Sequence, residues 1–419
     1  MVLQGVLLSA SLEKVEVSGV LAPVIFEKDS TLPITSLQVI FQNSGSIEDK
    51  SLSGLARFGA NILNEGTKKL GSVAFANELE KSAIGLSVHS GTETFVIELS
   101  SLKEKFAEGI KLLKNLLKDP NLTDESFEKI KLLMKAKIKK NESNFDYIGS
   151  LNLKQMRYKD TPIGHPFDGD ENSLNTLKLE DVKKFINEHI VLERAIIVIG
   201  GDIEIDEAKK ISKDILSTLP KGKNEPLVHF KGIEKVDKKE IIKNSEQAYI
   251  YFGAPYDLNI SSDDVYKAKV GSFILGAGGF GSRMMEEIRV KKGLAYSVYS
   301  NVNFNKSYTD FTGYLQTKLE SQEDAIKTVK EVISSFVKDG VTKDELEQAK
   351  HFLLGSEPLR NEKLSQRLSR SFFEYYSGFE LGYKKKELEK IKSLTLEELN
   401  KFITSHNEIN ILSFAIVKK

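Results

Sequence analysis

Two stretches, GSVAFANELEKSAIGLSVHS (71–90) and GSRMMEEIRVKKGLAYSVYS (281–300), carry the pattern that decides the fold. Gly71-Ser72 matches Gly281-Ser282, and Ser87-Val88-His89-Ser90 matches Ser297-Val298-Tyr299-Ser300, each at an offset of 210 positions. The likeness extends outward. Upstream, VIFQNSGSIEDKSLSGLARFGANIL (39–63) is answered by YIYFGAPYDLNISSDDVYKAKVGSFIL (249–275). Downstream, the amphipathic run 106–138 is answered by 325–355, and 185–202 by 402–419. Each half therefore reads as strand, polar turn, two helices, an alternating strand, then long helices and a closing strand. A repeat this long means a duplicated domain rather than a solenoid.

Between the halves, LPKGKNEPLVHFKGIEKVDKKEIIKN is rich in Lys, Gly and Pro and lacks sustained periodicity. This predicts domains at 1–216 and 246–419 joined by a linker and entry strand at 217–245. The expected class is α+β, with each domain a mostly antiparallel sheet and helices packed on one face.

Composition narrows the function. The 419 residues are 40% hydrophobic and 29% charged, as in a globular chain. Sixty basic residues balance sixty acidic ones, so bulk charge points to neither nucleic acid nor membrane. The absence of cysteine excludes disulfides, thiolate metal sites and cysteine nucleophiles. No run approaches the roughly 18 apolar residues of a membrane span. The opening MVLQGVLLSA lacks a basic n-region, so the expected compartment is cytoplasmic, with periplasmic as the alternative.

Three blocks in order resemble the pitrilysin/insulysin family of inverted-zincin peptidases, in its short-chain, processing-peptidase-like branch. They are LSGLARFGANILNEGTKKL (52–70), IGHPFDGDENSLNTLKLEDVKKFINEHIVLERAIIVIGGDI (163–203) and GAGGFGSRMMEEIRVKKGLAYSVYS (276–300). The resemblance covers essentially the whole chain and implies the metallohydrolase-like fold of the mitochondrial processing peptidases. The family motif is His-x-x-Glu-His on a helix, with a further Glu downstream. Carried over, the histidines fall on Arg57 and Asn61, the general base on Ala60, and the downstream ligand near Lys137. Arg and Lys do not ligate zinc at neutral pH, Ala offers no ligand or base, and Asn is a poor substitute for imidazole. The six histidines include no pair at helical or turn spacing that could replace them. No metal or other cofactor is expected in this chain.

The resemblance also implies an Arg and a Tyr seven residues apart, contributed by the second domain to the zinc site. They fall on Arg289 and Tyr296. Arg289 is expected in the last turn of a helix stopped by Gly293. Tyr296 is expected on the following strand, sharing a face with Leu294 and Val298. Their counterparts at the 210 offset are Leu79 and Leu86, so the pair belongs to the second half alone. The plainer reading is an Arg complementing a helix dipole and a Tyr packing in a sheet. Gly276, Gly278 and Gly281 fit G-x-G-x-x-G, but Asn301 stands where a dinucleotide site needs an acid. Gly278, Gly279 and Gly281 are read as a substrate-handling loop, as the branch implies, or as a tight turn.

The expected function is that of the non-zinc subunit of a heterodimeric zinc metallopeptidase, inactive alone. Its partner would be a zinc-bearing homologue, and its substrate a peptide or unfolded segment. The alternative is a non-catalytic structural or assembly subunit.

Overall fold

The run Ala195–Gly201 is buried at every residue, and that burial organises the first half of the chain. A continuously apolar strand must be covered on both faces. The computed structural model describes residues 10–419; the leader reading of MVLQGVLLSA falls almost wholly outside them. The first unit holds strands β1 (Ser11–Val17), β2 (Val20–Lys28), β3 (Ile34–Gln42), β4 (Gly85–Ser90), β5 (Thr94–Leu102) and β6 (Ala195–Gly201). They form one sheet in the order β1-β2-β6-β3-β5-β4, antiparallel except where β2 meets β6.

The second unit holds β7 (Asp237–Ile242), β8 (Gln247–Pro255), β9 (Val298–Phe304), β10 (Thr309–Lys318) and β11 (Ser413–Lys418). Their order is β7-β11-β8-β10-β9, and only β7 and β11 run parallel. This is the order β2-β6-β3-β5-β4 repeated with the same directions. The duplication seen in the sequence is thus a duplication of topology, with β1 as an addition to the first copy. Val88 pairs with Ile97 in one sheet, and Val298 with Leu315 in the other. Helix starts repeat as well. Thr342 caps Lys343–Gly355 in a box with Glu345, and Thr123 bonds the Ser126 amide at the equivalent helix.

Alternation sorts each strand between two faces. On β3, Leu37, Val39 and Phe41 enter the main core with the long helices, while Ile40 joins Ile25, Val96, Ile196 and Val198 on the reverse face. That reverse face is covered by the helix Leu364–Tyr376, through Leu368 and through Arg367, which ion-pairs with Glu27 and Asp29. In the second sheet Ala248, Ile250, Phe252 and Ala254 of β8 enter the core. The reverse face lies under the helix Phe145–Arg157. There Gly149 is obligatory, because a Cβ would sit 2.3 Å from the Tyr251 ring.

Each sheet is therefore covered on its second face by a helix donated from the other half of the sequence. The first unit comprises the described residues up to Ile138, Pro166–Leu227 and Leu359–Gly382. The second comprises Lys139–His165, Val228–Pro358 and Tyr383–Lys419. This differs from a sequential division at 1–216, 217–245 and 246–419. The break between Leu227 and Val228 lies inside the expected linker, but the two donated helices do not follow sequence order. Helices on one face alone would leave the apolar reverse faces in water. Among the described residues no helix is long and apolar enough to cross a membrane.

One buried polar group in the first unit sets a pH dependence. His189 is buried at the end of helix Leu179–His189, with its Nδ1 2.8 Å from Arg194 Nη1, so the ring accepts and is neutral. Burial, helped by Arg194 and Lys50, pushes its pKa down to about 4. A base with a depressed folded pKa stabilises the fold above its unfolded value, and that stability is lost as pH falls toward the folded value. Between about pH 6.5 and 4, the unfolding free energy should fall by up to about 3 kcal/mol for this group, read as a falling denaturation midpoint. His189→Gln should flatten that slope; a slope identical to wild type would assign it to other groups.

Candidate functional site

The first site is built on the helix Leu55–Leu63. Its start is fixed by the Asp49 carboxylate, which accepts from the Gly54 amide at 2.8 Å and the Ala56 amide at 2.7 Å. Burial pushes Asp49 up to about 7 even so, with these amides pulling the other way. Gly54 must be glycine: its φ is +87°, and a Cβ would meet the Gly169 backbone at 2.7 Å. Ser53 Oγ donates to the Pro166 carbonyl, and Ser173 Oγ donates to the Ser53 carbonyl. These contacts lay segment 166–173 against the start of the helix and bring Asp168 beside it.

Arg57 and Asn61 lie one turn apart on the helix and are half-buried, while Ala60 is fully buried. Lys137 comes from the helix Asp124–Asn141, which is held to the first by Phe58 stacked against Phe127 at 4.9 Å. Arg57 and Lys137 converge on one carboxylate. Lys137 Nζ is 2.7 Å from Asp168 Oδ1, and Arg57 Nε is 3.6 Å from the same oxygen. The Arg57 guanidinium also lies over the Phe167 ring at 5.6 Å. Asp168 was not singled out in the sequence; an acid two residues past a His-Pro dipeptide carries no local signal of this role.

These residues do not fit zinc. Two cations and one carboxylate leave a positive charge where a dication would have to sit, and neither cation has a lone pair to give. Among the described residues, no three His, Cys, Asp or Glu side chains converge in a way that could hold a metal ion. The neighbouring edge strand β4 is also engaged. Asn64 takes both main-chain groups of Val88, accepting from its amide at 2.9 Å and donating to its carbonyl at 2.8 Å.

The second site lies in the second unit. The helical segment Met285–Lys291 has wide, π-type turns and ends at Gly293, whose φ is +61°. The Gly293 amide bonds back to the Arg289 carbonyl, and the Leu294 amide to the Ile288 carbonyl, so the wide-turned helix closes on a glycine turn. Because Leu294 is turned back onto the helix, the β9 ladder begins only at Val298. Tyr296 therefore precedes the strand, a correction to its expected place on it. It is 82% exposed, whereas Val298 is in the core.

Arg289 and Tyr296 are nonetheless together: the guanidinium lies 4.7 Å over the Tyr296 ring. Its other aromatic contact is Phe280, at 4.8 Å, so one cation joins two exposed rings. Phe280 stands between Gly279 and Gly281, both at positive φ. Gly278 packs against Phe273, where a Cβ would be 2.8 Å from the carbonyl oxygen. The glycine loop and the Arg/Tyr pair thus form one constellation. Phe280 was hidden in the sequence as a variable position of a glycine pattern.

Comparison with known proteins agrees with this architecture. Residues 24–171 match the insulinase (peptidase family M16) domain, and residues 176–353 match the peptidase M16 inactive domain. A Helicobacter pylori protein named non-peptidase homolog YmxG is 43% identical, over 98% of this chain and 94% of that one. The mitochondrial-processing peptidase subunit beta of Blastocladiella emersonii is 22% identical, over 68% of this chain and 62% of that one. The crystal structure of a peptidase M16 inactive domain from Pseudomonas fluorescens superposes with a TM-score of 0.89 at 26% identity, covering 97% of this chain and 98% of that one.

Three outcomes test the first site. Asp168→Asn should cost about 1–2 kcal/mol in chemical denaturation, because it leaves Arg57 and Lys137 facing each other. Lys137→Met should cost under about 0.5 kcal/mol, since its ammonium is half-exposed. Equal midpoints for Asp168→Asn and wild type would mean the carboxylate is not holding the cations. After equilibration with zinc and desalting, the chain should retain well under one equivalent by elemental analysis.

Proposed function

Since this chain belongs to the insulinase (M16) peptidase family, we propose that it is the non-zinc subunit of a two-chain peptidase. It would lend Arg289 and Tyr296 to the active site of a zinc-bearing homologue. The observation that carries this reading is the contrast between the two halves. The metal positions hold Arg57 and Lys137 on Asp168. The second half instead presents a half-buried arginine lying over an exposed tyrosine.

The chemistry follows from the side chains. The Tyr296 hydroxyl can donate to the oxyanion that forms when a peptide carbonyl is attacked. Arg289 carries the charge and N–H donors to orient that carbonyl, and its stacking on Phe280 and Tyr296 restricts where they point. Zinc in the partner would supply the activated water. The β4 edge, where an extended substrate could add as a strand, has its Val88 groups occupied by Asn64. This supports assigning cleavage to the partner's site rather than to a site on the first unit.

A second reading is favoured by the name of the 43%-identical relative, a non-peptidase homologue. On that reading the chain is a structural or assembly subunit, and the pair plays no part in cleavage.

Peptide-cleavage rates distinguish the two. This chain should be inactive alone, and mixing it with a zinc-bearing homologue should produce a rate absent from either protein. Tyr296→Phe should lower that rate by about a hundredfold, as loss of an oxyanion donor does elsewhere. An undiminished rate with Tyr296→Phe and Arg289→Met, in a complex that still forms, would establish the structural reading.

A further inference from the structure

β1 is the strand that the first copy has and the second lacks, and it ends the first sheet. Its hairpin with β2 fixes which way its main chain faces. Ser18 and Gly19, at φ +50° and +77°, are both left-handed, as a two-residue type I′ hairpin turn requires. In such a hairpin the closing pair, Val17 and Val20, exchanges both main-chain hydrogen bonds, and bonded pairs recur at every second position. Val15 with Ala22 is therefore a bonded pair, whereas Lys14 with Pro23 and Glu16 with Leu21 are not. Pro23, which has no N–H to give, stands at one of the unbonded places. The amides and carbonyls of Leu12, Lys14 and Glu16 consequently point outward, where among the described residues no strand takes them.

An open edge invites pairing, and charges usually blunt it. Here the charges alternate in sign. Lys14 and Glu16 share one face and are exposed. On the other face Val15 and Val17 enter the core, and Glu13 pairs with Lys209. Two antiparallel copies of β1 about a twofold axis must set outward residue against outward residue, so the axis passes through a residue. Centred on Lys14, the pairing sets lysine on lysine. Centred on Glu13 or Glu16, it sets glutamate on glutamate. Centred on Val15, it sets each Lys14 opposite the other copy's Glu16, with no like charges opposed.

We propose that β1 is a self-docking edge, where two copies of this chain join in an antiparallel pair centred on Val15. Lys14 faces Glu16 twice, each time with two main-chain hydrogen bonds and opposite charges on the same face. The main-chain groups that the fold leaves to water thereby gain partners. The contact is short, so the dimer is weak and forms at high protein concentration. It lies on the first unit and needs no chain of another kind, so it stands apart from the proposed peptidase site.

Sedimentation equilibrium of the full chain, from micromolar to millimolar concentration, should show monomer and dimer in exchange. Lys14→Glu and Glu16→Lys should each weaken the dimer about tenfold or more, because both pairs turn from attraction to repulsion. Mixing the two variants, or combining both changes in one chain, should restore it. The chain has no cysteine, so single substitutions report the register. Val15→Cys should crosslink to itself under mild oxidation, since opposed unbonded residues lie about 4.5 Å apart at Cα, within disulfide reach. Glu13→Cys, opposed by Val17 rather than by itself, should not. The proposal is overturned by a monomer across the whole range or by a dimer that both charge reversals leave intact. It is equally overturned if the mixture does not repair the reversals, or if Glu13→Cys crosslinks as readily as Val15→Cys.

Discussion

A buried carboxylate shared between two cations ties together the part of the first unit that the family uses for metal. Asp168 reaches Lys137 and Arg57, and so links three segments far apart in sequence. A metal ion at the family's positions would link two of these segments, the helices that carry Arg57 and Lys137. Here a fixed internal charge pattern holds them instead. Its strength is modest, because Lys137 is half-exposed and screened. Its consequence for chemistry is large, because a net positive charge excludes a dication however well the backbone is placed. The remaining contacts of the site, from Asp49 on the helix start to Ser53 on Pro166, position Asp168 for this role.

Duplication gives a control for the second site. The two sheets share strand order and direction, and β4 and β9 correspond at an offset of 210, Val88 to Val298. Leu79 and Leu86, the counterparts of Arg289 and Tyr296, pack against the first unit's core. Where the first copy packs two partly buried leucines, the second places a half-buried cation between two exposed aromatic rings. Exposed Phe280, Val290 and Tyr296 add apolar area to water without return in the isolated fold. A second surface that covers them would give that area a use.

Much of this was legible in the sequence because it rests on period and order. The repeated strand-and-helix pattern gave the duplication and the mostly antiparallel α+β class, and the family resemblance put Arg57, Asn61 and Lys137 at the metal positions. What was not legible depends on contacts between distant segments. The helices Phe145–Arg157 and Leu364–Tyr376 have readable apolar faces, but periodicity does not say which sheet a face will meet. The buried run in β6 did carry a warning, since a strand apolar on both sides needs two covers. Asp168 became a partner of two cations only through loop packing on Ser53. Tyr296 left the strand because the glycine turn at Gly293 redirects Leu294, and alternation counted from Leu294 starts too early.

The energetics of the Phe280–Arg289–Tyr296 stack bear on how it could work. Cation–π contacts at exposed sites contribute about 0.5–1 kcal/mol each, so the two together restrain Arg289 by roughly 1–2 kcal/mol. That is enough to populate one arrangement heavily and too little to lock it. An incoming carbonyl or carboxylate in a desolvated site offers a charge-assisted hydrogen bond of similar or greater strength. On the proposed shared-site reading, Arg289 would exchange a ring contact for a substrate contact at small net cost. Phe280, held between two glycines with open space around them, can move with it. A buried ion pair, such as Asp168 makes with Lys137, has no such freedom on its carboxylate side. The two halves thus differ in how tightly each holds its charge.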